Sequence, residues 1–111
     1  MTESKVIENG IEYTVNFDSD GTKHWFLNGE RHREDGPAFE KANGYKAWFL
    51  NDKLHRVDGP AIESTTGDKV WFLNGKLHRE DGPACEYESG TKRWYINGGE
   101  LIEEEFNKRT I

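Results

Sequence analysis

Lys69-Val70-Trp71-Phe72-Leu73-Asn74-Gly75-Lys76-Leu77-His78-Arg79-Glu80-Asp81-Gly82-Pro83-Ala84 decides the fold, because the chain repeats this stretch almost unchanged. The tryptophans stand at Trp25, Trp48, Trp71 and Trp94, each 23 residues from the next with no insertion or deletion. Working outward, Gly21, Gly44, Gly67 and Gly90 lie four residues before each Trp, and Lys23, Lys46, Lys69 and Lys92 two before. Phe26, Phe49, Phe72 and Tyr95 follow it, then Leu27, Leu50, Leu73 and Ile96, then Asn28, Asn51, Asn74 and Asn97. Three copies continue through His-Arg-x-Asp-Gly-Pro-Ala, at His32 to Ala38, His55 to Ala61 and His78 to Ala84; the fourth stops after Asn97-Gly98. A fixed period in the range of about 20–50 residues predicts a repeat architecture, in which each unit buries its apolar face only against its neighbours.

Each unit reads as a β-hairpin. Lys69-Val70-Trp71-Phe72-Leu73 is aromatic and branched, as strands prefer, and too short for a buried helix. Asn74-Gly75 supplies a two-residue turn, since both residues tolerate the positive φ of a type I′ hairpin. Asn28-Gly29 and Asn97-Gly98 repeat it, and Asn51-Asp52 is the strained version. The returning strand is expected from Lys76 to Tyr87, interrupted by Asp-Gly-Pro, where Pro cannot donate to a ladder and Gly permits a bulge. Ahead of the repeats, Lys5 to Tyr13 suggests one more hairpin with Asn9-Gly10 at its tip. After them, Ile102 and Phe106 are four apart with acids early and bases late, which suits a short helix and its dipole. The expected fold is therefore all-β: a curled single sheet of antiparallel β-hairpins with a short C-terminal capping helix. Its parts are an N-terminal capping hairpin (1–20), three repeats (21–43, 44–66, 67–89), a partial repeat (90–99) and a helical cap (100–111).

Composition narrows the function. The 111 residues allow a single domain. No apolar run approaches the ~18 residues of a membrane span, and no apolar signal segment follows Met1. One cysteine excludes an internal disulfide framework or a Cys-rich zinc site and suits a reducing, cytoplasmic compartment. A net charge of −6 argues against a nucleic-acid binder, which needs a basic surface to release counterions.

The pattern Trp-x-x-Asn-Gly-x-x-His-Arg-x-Asp-Gly-Pro-Ala, over about residues 21–99, resembles a divergent MORN repeat. Arg33, Arg56 and Arg79 stand where the usual unit has Gly after His, and the Tyr-x-Gly-x-Trp opening is missing. The chain is more similar to the variants of this family in bacteria, phages and large viruses. The resemblance implies protein binding or self-association, a homodimer among the options, and no catalysis of its own. It also suggests a phage or bacterial accessory or inhibitor protein, in the host cytoplasm if viral. Binding to acidic lipid, claimed for some members, fits poorly with an acidic chain.

Candidate site residues fall in columns. His32, His55 and His78 recur at the repeat spacing, so they sit two strands apart, about 9–10 Å. Zinc needs nitrogen ligands at ~2.0–2.1 Å, so no shared metal site is expected. Each His is expected to hydrogen-bond the backbone of the Asp-Gly-Pro crease. Arg33, Arg56 and Arg79 lie beside Asp35, Asp58 and Asp81 and can form charge-assisted forks that hold the loops in register. Left unpaired, the same Arg and His would line up donors for a nucleotide phosphate or another small anion. No Ser or Cys nucleophile recurs beside His, and Cys85 takes the slot of Phe39 and Ile62, so neither an enzyme nor a cofactor is expected. Strand alternation puts Trp and Leu on one face and Phe on the other, and leaves open which is core. The expectation adopted is a Trp/Leu core, with Phe26, Phe49 and Phe72 bordering the surface for a protein partner.

Overall fold

Asn residues in left-handed backbone set the hairpins. Asn9, Asn28, Asn51, Asn74 and Asn97 have φ between 49° and 53°, and Gly10, Gly29, Gly75 and Gly98 follow at 80° to 84°. Asp52 takes the second position at 66°, where a Cβ is disfavoured. Its carboxylate accepts from the Arg31 backbone N–H at 2.7 Å, which helps offset the strain.

A computed structural model of the chain describes residues 2–109. The outermost residues of the two expected caps, 1, 110 and 111, lie outside this range. Strands β1 (Thr2–Glu8) and β2 (Ile11–Phe17) form the N-terminal hairpin. The first unit contributes β3 (Lys23–Leu27), β4 (Glu30–Arg31) and β5 (Phe39–Glu40). The second contributes β6 (Lys46–Ala47), β7 (Phe49–Leu50), β8 (Lys53–Leu54) and β9 (Ile62–Glu63). The third contributes β10 (Lys69–Val70), β11 (Phe72–Leu73), β12 (Lys76–Leu77) and β13 (Cys85–Glu86). Then come β14 (Lys92–Ile96), β15 (Gly99–Leu101) and α1 (Glu103–Lys108).

The architecture is an antiparallel assembly of repeated hairpins with one short C-terminal helix, extending over 49 × 28 × 19 Å. The long sheet runs β1-β2-β3-β5-β6-β9-β10-β13-β14-β15. In the middle units the forward strand is shared between two layers, a refinement of the single layer expected. Lys69–Val70 pairs in the long sheet, while Phe72–Leu73 pairs with Lys76–Leu77 in a separate hairpin. Trp71 is the bend: its N–H donates to Ala84 O at 2.8 Å, and its carbonyl accepts from His78 N–H at 3.1 Å. Successive hairpins are bonded to each other, through Arg56 N–H to Phe72 O at 3.1 Å and Gly75 N–H to Leu54 O at 2.8 Å. The return between β12 and β13 carries His-Arg-x-Asp-Gly-Pro as an open loop rather than a strand with one bulge.

Where the two layers meet, only a methyl fits. Ala38, Ala61 and Ala84 are fully buried. The largest apolar core forms where the N-terminal hairpin covers the first unit, with Tyr13, Val15 and Trp25 buried and the Tyr13 ring edge-on to Trp25 at 5.3 Å. At the other end Phe106 is buried against Trp94, ring centroids 6.5 Å apart. Ile102 does not share that face, contrary to the expected pairing with Phe106. It sits before the helix as its N-cap residue, exposed, with its N–H bonded to the Glu105 carboxylate at 3.2 Å.

One feature of the long sheet went unread in the sequence. Its outer face carries Lys23, Glu40, Lys46, Glu63, Lys69, Glu86 and Lys92 as cross-strand neighbours in that order. Opposite charges meet at every step. A shifted register would oppose like charges or mix this row with the apolar one, so the ladder specifies pairing.

Candidate functional site

The His-Arg-x-Asp-Gly-Pro loops are built around the arginine. The guanidinium carbons of Arg33, Arg56 and Arg79 lie 3.7, 3.8 and 3.8 Å from the ring centroids of Trp25, Trp48 and Trp71. On the opposite side stands the loop glycine. A Cβ at Gly36, Gly59 or Gly82 would come within 2.8–2.9 Å of the same guanidinium carbon. None of these three glycines has a positive φ, so the slot is glycine for lack of room, not for backbone freedom.

Nε and Nη1 of these arginines are committed. Nη1 of Arg56 donates to Pro60 O at 3.0 Å and to Glu63 at 3.2 Å, and Nε to Asp58 at 3.3 Å. Arg79 repeats the set with Pro83 O at 3.1 Å, Glu86 at 3.0 Å and Asp81 at 3.0 Å. Arg33 departs from the expected pairing with Asp35. It forms a fork with Glu8 of the N-terminal hairpin at 3.0 and 2.8 Å, and this bond holds the Glu8 carboxyl below the usual carboxylate range. Asp35 instead accepts from the Asn9 side chain.

The histidine column tightens the stack one unit further on than expected. Nδ1 of His32, His55 and His78 accepts from the backbone N–H of Asn51, Asn74 and Asn97 at 3.0, 2.9 and 2.9 Å. Each His therefore bonds the hairpin turn of the next unit, not the backbone of its own Asp-Gly-Pro segment. The donor at Nδ1 leaves the ring hydrogen on Nε2, which faces Glu34 at 3.2 Å in His32 and Glu80 at 3.2 Å in His78. His32 and His78 are buried. Among the described residues, no group of three His, Cys, Asp or Glu side chains is placed to hold a metal. Cys85 is buried, and burial pushes its thiol up.

The loops project in a row and enclose two equivalent open clefts. One, of 590 Å³, lies between the first and second loops over Trp48 and Leu50; the other, of 540 Å³, lies between the second and third over Trp71 and Leu73. Asp58 and Asp81 stand almost fully exposed at their rims.

The opposite side carries an apolar furrow between the long sheet and the hairpin stack. A hollow of 200 Å³ is lined by Arg31, Phe39, Tyr45, Ala47, Phe49, Leu54 and Ile62. A larger one, of 580 Å³, begins at the same Ile62 and runs past Val70, Phe72 and Leu77 to a more polar end at Ser89, Thr91 and Arg93. Phe26, Phe49 and Phe72 are half-buried along this side, while Trp25 is buried and Trp48, Trp71 and Trp94 are half-buried. Both aromatic rows thus share the packing. Trp25, Trp48 and Trp71 each carry a stacked arginine, Trp48 and Trp71 also line the clefts, and Phe49 and Phe72 line the furrow.

Two residues of the first unit break the repeat at this furrow, Arg31 in its wall and His24 behind it against Phe39. Arg31 stands where the other units have Leu54, Leu77 and Glu100, and His24 where they have Ala47, Val70 and Arg93. No spacing rule singles out Arg31, because it lies outside the repeated columns. Comparison with protein-family models, with curated proteins and with solved structures gives no match to this chain.

Proposed function

We propose that the chain is a non-catalytic, MORN-like repeat protein that recognises another protein along the furrow lined by Phe49 and Phe72. The furrow itself carries this reading. It is predominantly apolar and open across two units, whereas in the clefts on the other side Trp48 and Trp71 each carry a stacked guanidinium and the rims carry Asp58 and Asp81. An apolar segment of a partner lying there would bury area worth about 25 cal/mol per Å² before the costs of association. A role as an accessory or inhibitor protein of phage or bacterial origin, acting in the cytoplasm, follows from the resemblance. No described helix is long and apolar enough to cross a membrane.

The alternative, a nucleotide held by the His and Arg columns, draws little support. Each column guanidinium is stacked on Trp, and each donates to a proline carbonyl and at least one carboxylate. The discriminating experiment is affinity capture from the source cell with the parent chain and a Phe49→Gln/Phe72→Gln variant, alongside melting curves with a nucleotide panel. The expected result is a specific protein captured by the parent and lost by a variant that still melts cooperatively. Equal capture by both, or a nucleotide that raises the melting temperature while no protein is retained, would overturn the proposal.

A further inference from the structure

Arg31 is electrostatically out of place. Among the described residues, the guanidinium groups of Arg33, Arg56, Arg79 and Arg93 each have a carboxylate within 4.0 Å; those of Arg31 and Arg109 have none, and of these two only Arg31 lies in the body of the sheet, Arg109 being exposed. Its Nε is buried with no hydrogen-bond partner. Its guanidinium carbon lies among three rings, 5.6 Å from Phe26, 5.6 Å from Phe39 and 5.8 Å from Phe49. A cation sunk among aromatic edges and faces gains some attraction from them but loses hydration, and an unsatisfied N–H there is costly.

The guanidinium is nevertheless held in place by a relay. Nη2 of Arg31 donates to His24 Nδ1 at 3.1 Å, and His24 Nε2 lies 2.9 Å from the Asp18 carboxylate. The acceptor role of Nδ1 puts the ring hydrogen on Nε2, so a neutral imidazole passes the orienting field of Asp18 to Arg31 without contributing a counter-charge of its own. Repeat packing does not require this arrangement. The second and third units build the same hairpin with Ala47 and Leu54 or Val70 and Leu77 at these positions. The relay fixes one guanidinium at the wall of the 200 Å³ hollow, whose remaining walls are apolar.

We infer that this hollow is a binding site for a carboxylate carried on a compact apolar group, with Arg31 as the anion's partner and Phe39, Tyr45, Phe49 and Ile62 enclosing the apolar body. With Nε buried and one Nη2 hydrogen taken by His24, Nη1 and the second Nη2 hydrogen are the donors left for a carboxylate, and the apolar surround strengthens that pair. The hollow has room for about one side chain, so neither a nucleotide nor a long acyl chain fits within it. Two sources share the chemistry, a free small acid and the C-terminal carboxylate of a peptide ending in an apolar residue. The site stands whether or not the furrow takes a protein partner.

The test uses the whole chain and four probes: 3-phenylpropanoate, its neutral amide, and a short peptide ending in Phe as the free acid and as the C-terminal amide. Binding is read by calorimetry and by amide shifts at Arg31, Phe39 and Phe49. At least one acid is expected to bind, with its amide weaker by about tenfold or more, about 1.4 kcal/mol. Binding of both acids makes the site general, and binding of the peptide acid alone assigns it to chain termini; either supports the inference. Arg31→Leu, which installs the residue of the second and third units, is expected to keep the melting temperature within a few degrees and lose acid binding. Acids and amides binding alike, acid binding retained in Arg31→Leu, or no probe shifting these amides at millimolar concentration would overturn it and leave Arg31 a packing residue.

Discussion

Replacing Gly59 by Ala places a methyl 2.9 Å from the guanidinium carbon of Arg56, 3.0 Å from Nη1 and 3.1 Å from Nε. Carbon atoms prefer about 3.5–4.0 Å, so something must move. The guanidinium cannot retreat, because the Trp48 ring lies 3.8 Å away on its other side. It must slide out of the slot or push the loop away. Sliding out forfeits the stacking on Trp48, about 0.5–1 kcal/mol. It also puts at risk the bonds to Pro60 O and Glu63, charge-assisted contacts of about 1.5–3 kcal/mol. Pushing the loop outward costs the overpacking energy of about 1–3 kcal/mol. Because Gly59 has no positive φ, Ala also restricts the unfolded chain and returns about 0.4–1 kcal/mol. The net expectation is a loss of about 1.5–2.5 kcal/mol in urea unfolding followed by Trp fluorescence. In an Arg56→Ala background the methyl has nothing to meet, and Gly59→Ala should be neutral or slightly stabilising. The coupling in this double-mutant cycle should reach at least about 1.5 kcal/mol. An equal loss in both backgrounds would refute the sandwich and return the glycine to a backbone role.

The other expectations follow from the same contacts. His78→Ala leaves the Asn97 N–H without its acceptor and should cost about 1–3 kcal/mol; hydrogen exchange should speed up at Asn97 while the first unit's amides keep their protection. Glu8 is held ionised chiefly by its hydrogen bond from Arg33, so its folded pKa lies below the unfolded one. Its stabilisation is therefore complete above the ordinary carboxylate range and lost as pH falls through the depressed value. Glu8→Gln should lower stability at neutral pH and flatten the acid limb of the stability curve; an unchanged limb would contradict the assignment. Phe106→Ala uncovers Trp94 at the C-terminal end and should cost about 3–5 kcal/mol, with a red-shifted tryptophan emission. Cys85 is buried with its thiol pushed up, so maleimide labelling should be slow in the folded protein and fast in urea.

The N-terminal hairpin and the C-terminal helix show how the ends of the array are finished. Tyr13 covers Trp25, and Glu8 takes the partner role for Arg33 that Glu63 and Glu86 play for Arg56 and Arg79. At the far end the fourth unit has Ile102 where the others have Arg, and nothing stacks on Trp94 from that position. Phe106 meets Trp94 instead, while Arg109 lies over the Phe106 ring at 4.4 Å and donates to Glu80 O at 2.9 Å. Each cap supplies in a different chemical form what a neighbouring repeat would have supplied.

Hairpin positions, the turn residues and the cap at each end were open to sequence reasoning because they rest on local preferences. Asn-Gly adopts positive φ wherever it stands, and a strict period of 23 residues forces like residues into rows. The bend at Trp48 and Trp71 was not legible, since it depends on Trp bonding Ala in one layer and His in the other. The Glu40, Glu63 and Glu86 column repeats as faithfully as the Asp column, and a search for every 23-residue recurrence would have found it. Its role would still have been hidden, because Glu63 reaches Arg56 only after the loop folds back.

From the order of residues alone come the repeat, the β-hairpin units and the presence of Arg, His and Asp in columns. Tertiary structure decided what those columns do: Arg fills the space between Trp and Gly, and His binds the turn 19 residues ahead. It also decided that Phe49 and Phe72 line an open furrow and that the Nε of Arg31 is buried without a partner. The division has a physical cause. Turn geometry and alternation are settled within a few residues by sterics, whereas the partner of a long polar side chain depends on which of several reachable groups the packing of neighbouring units brings into range.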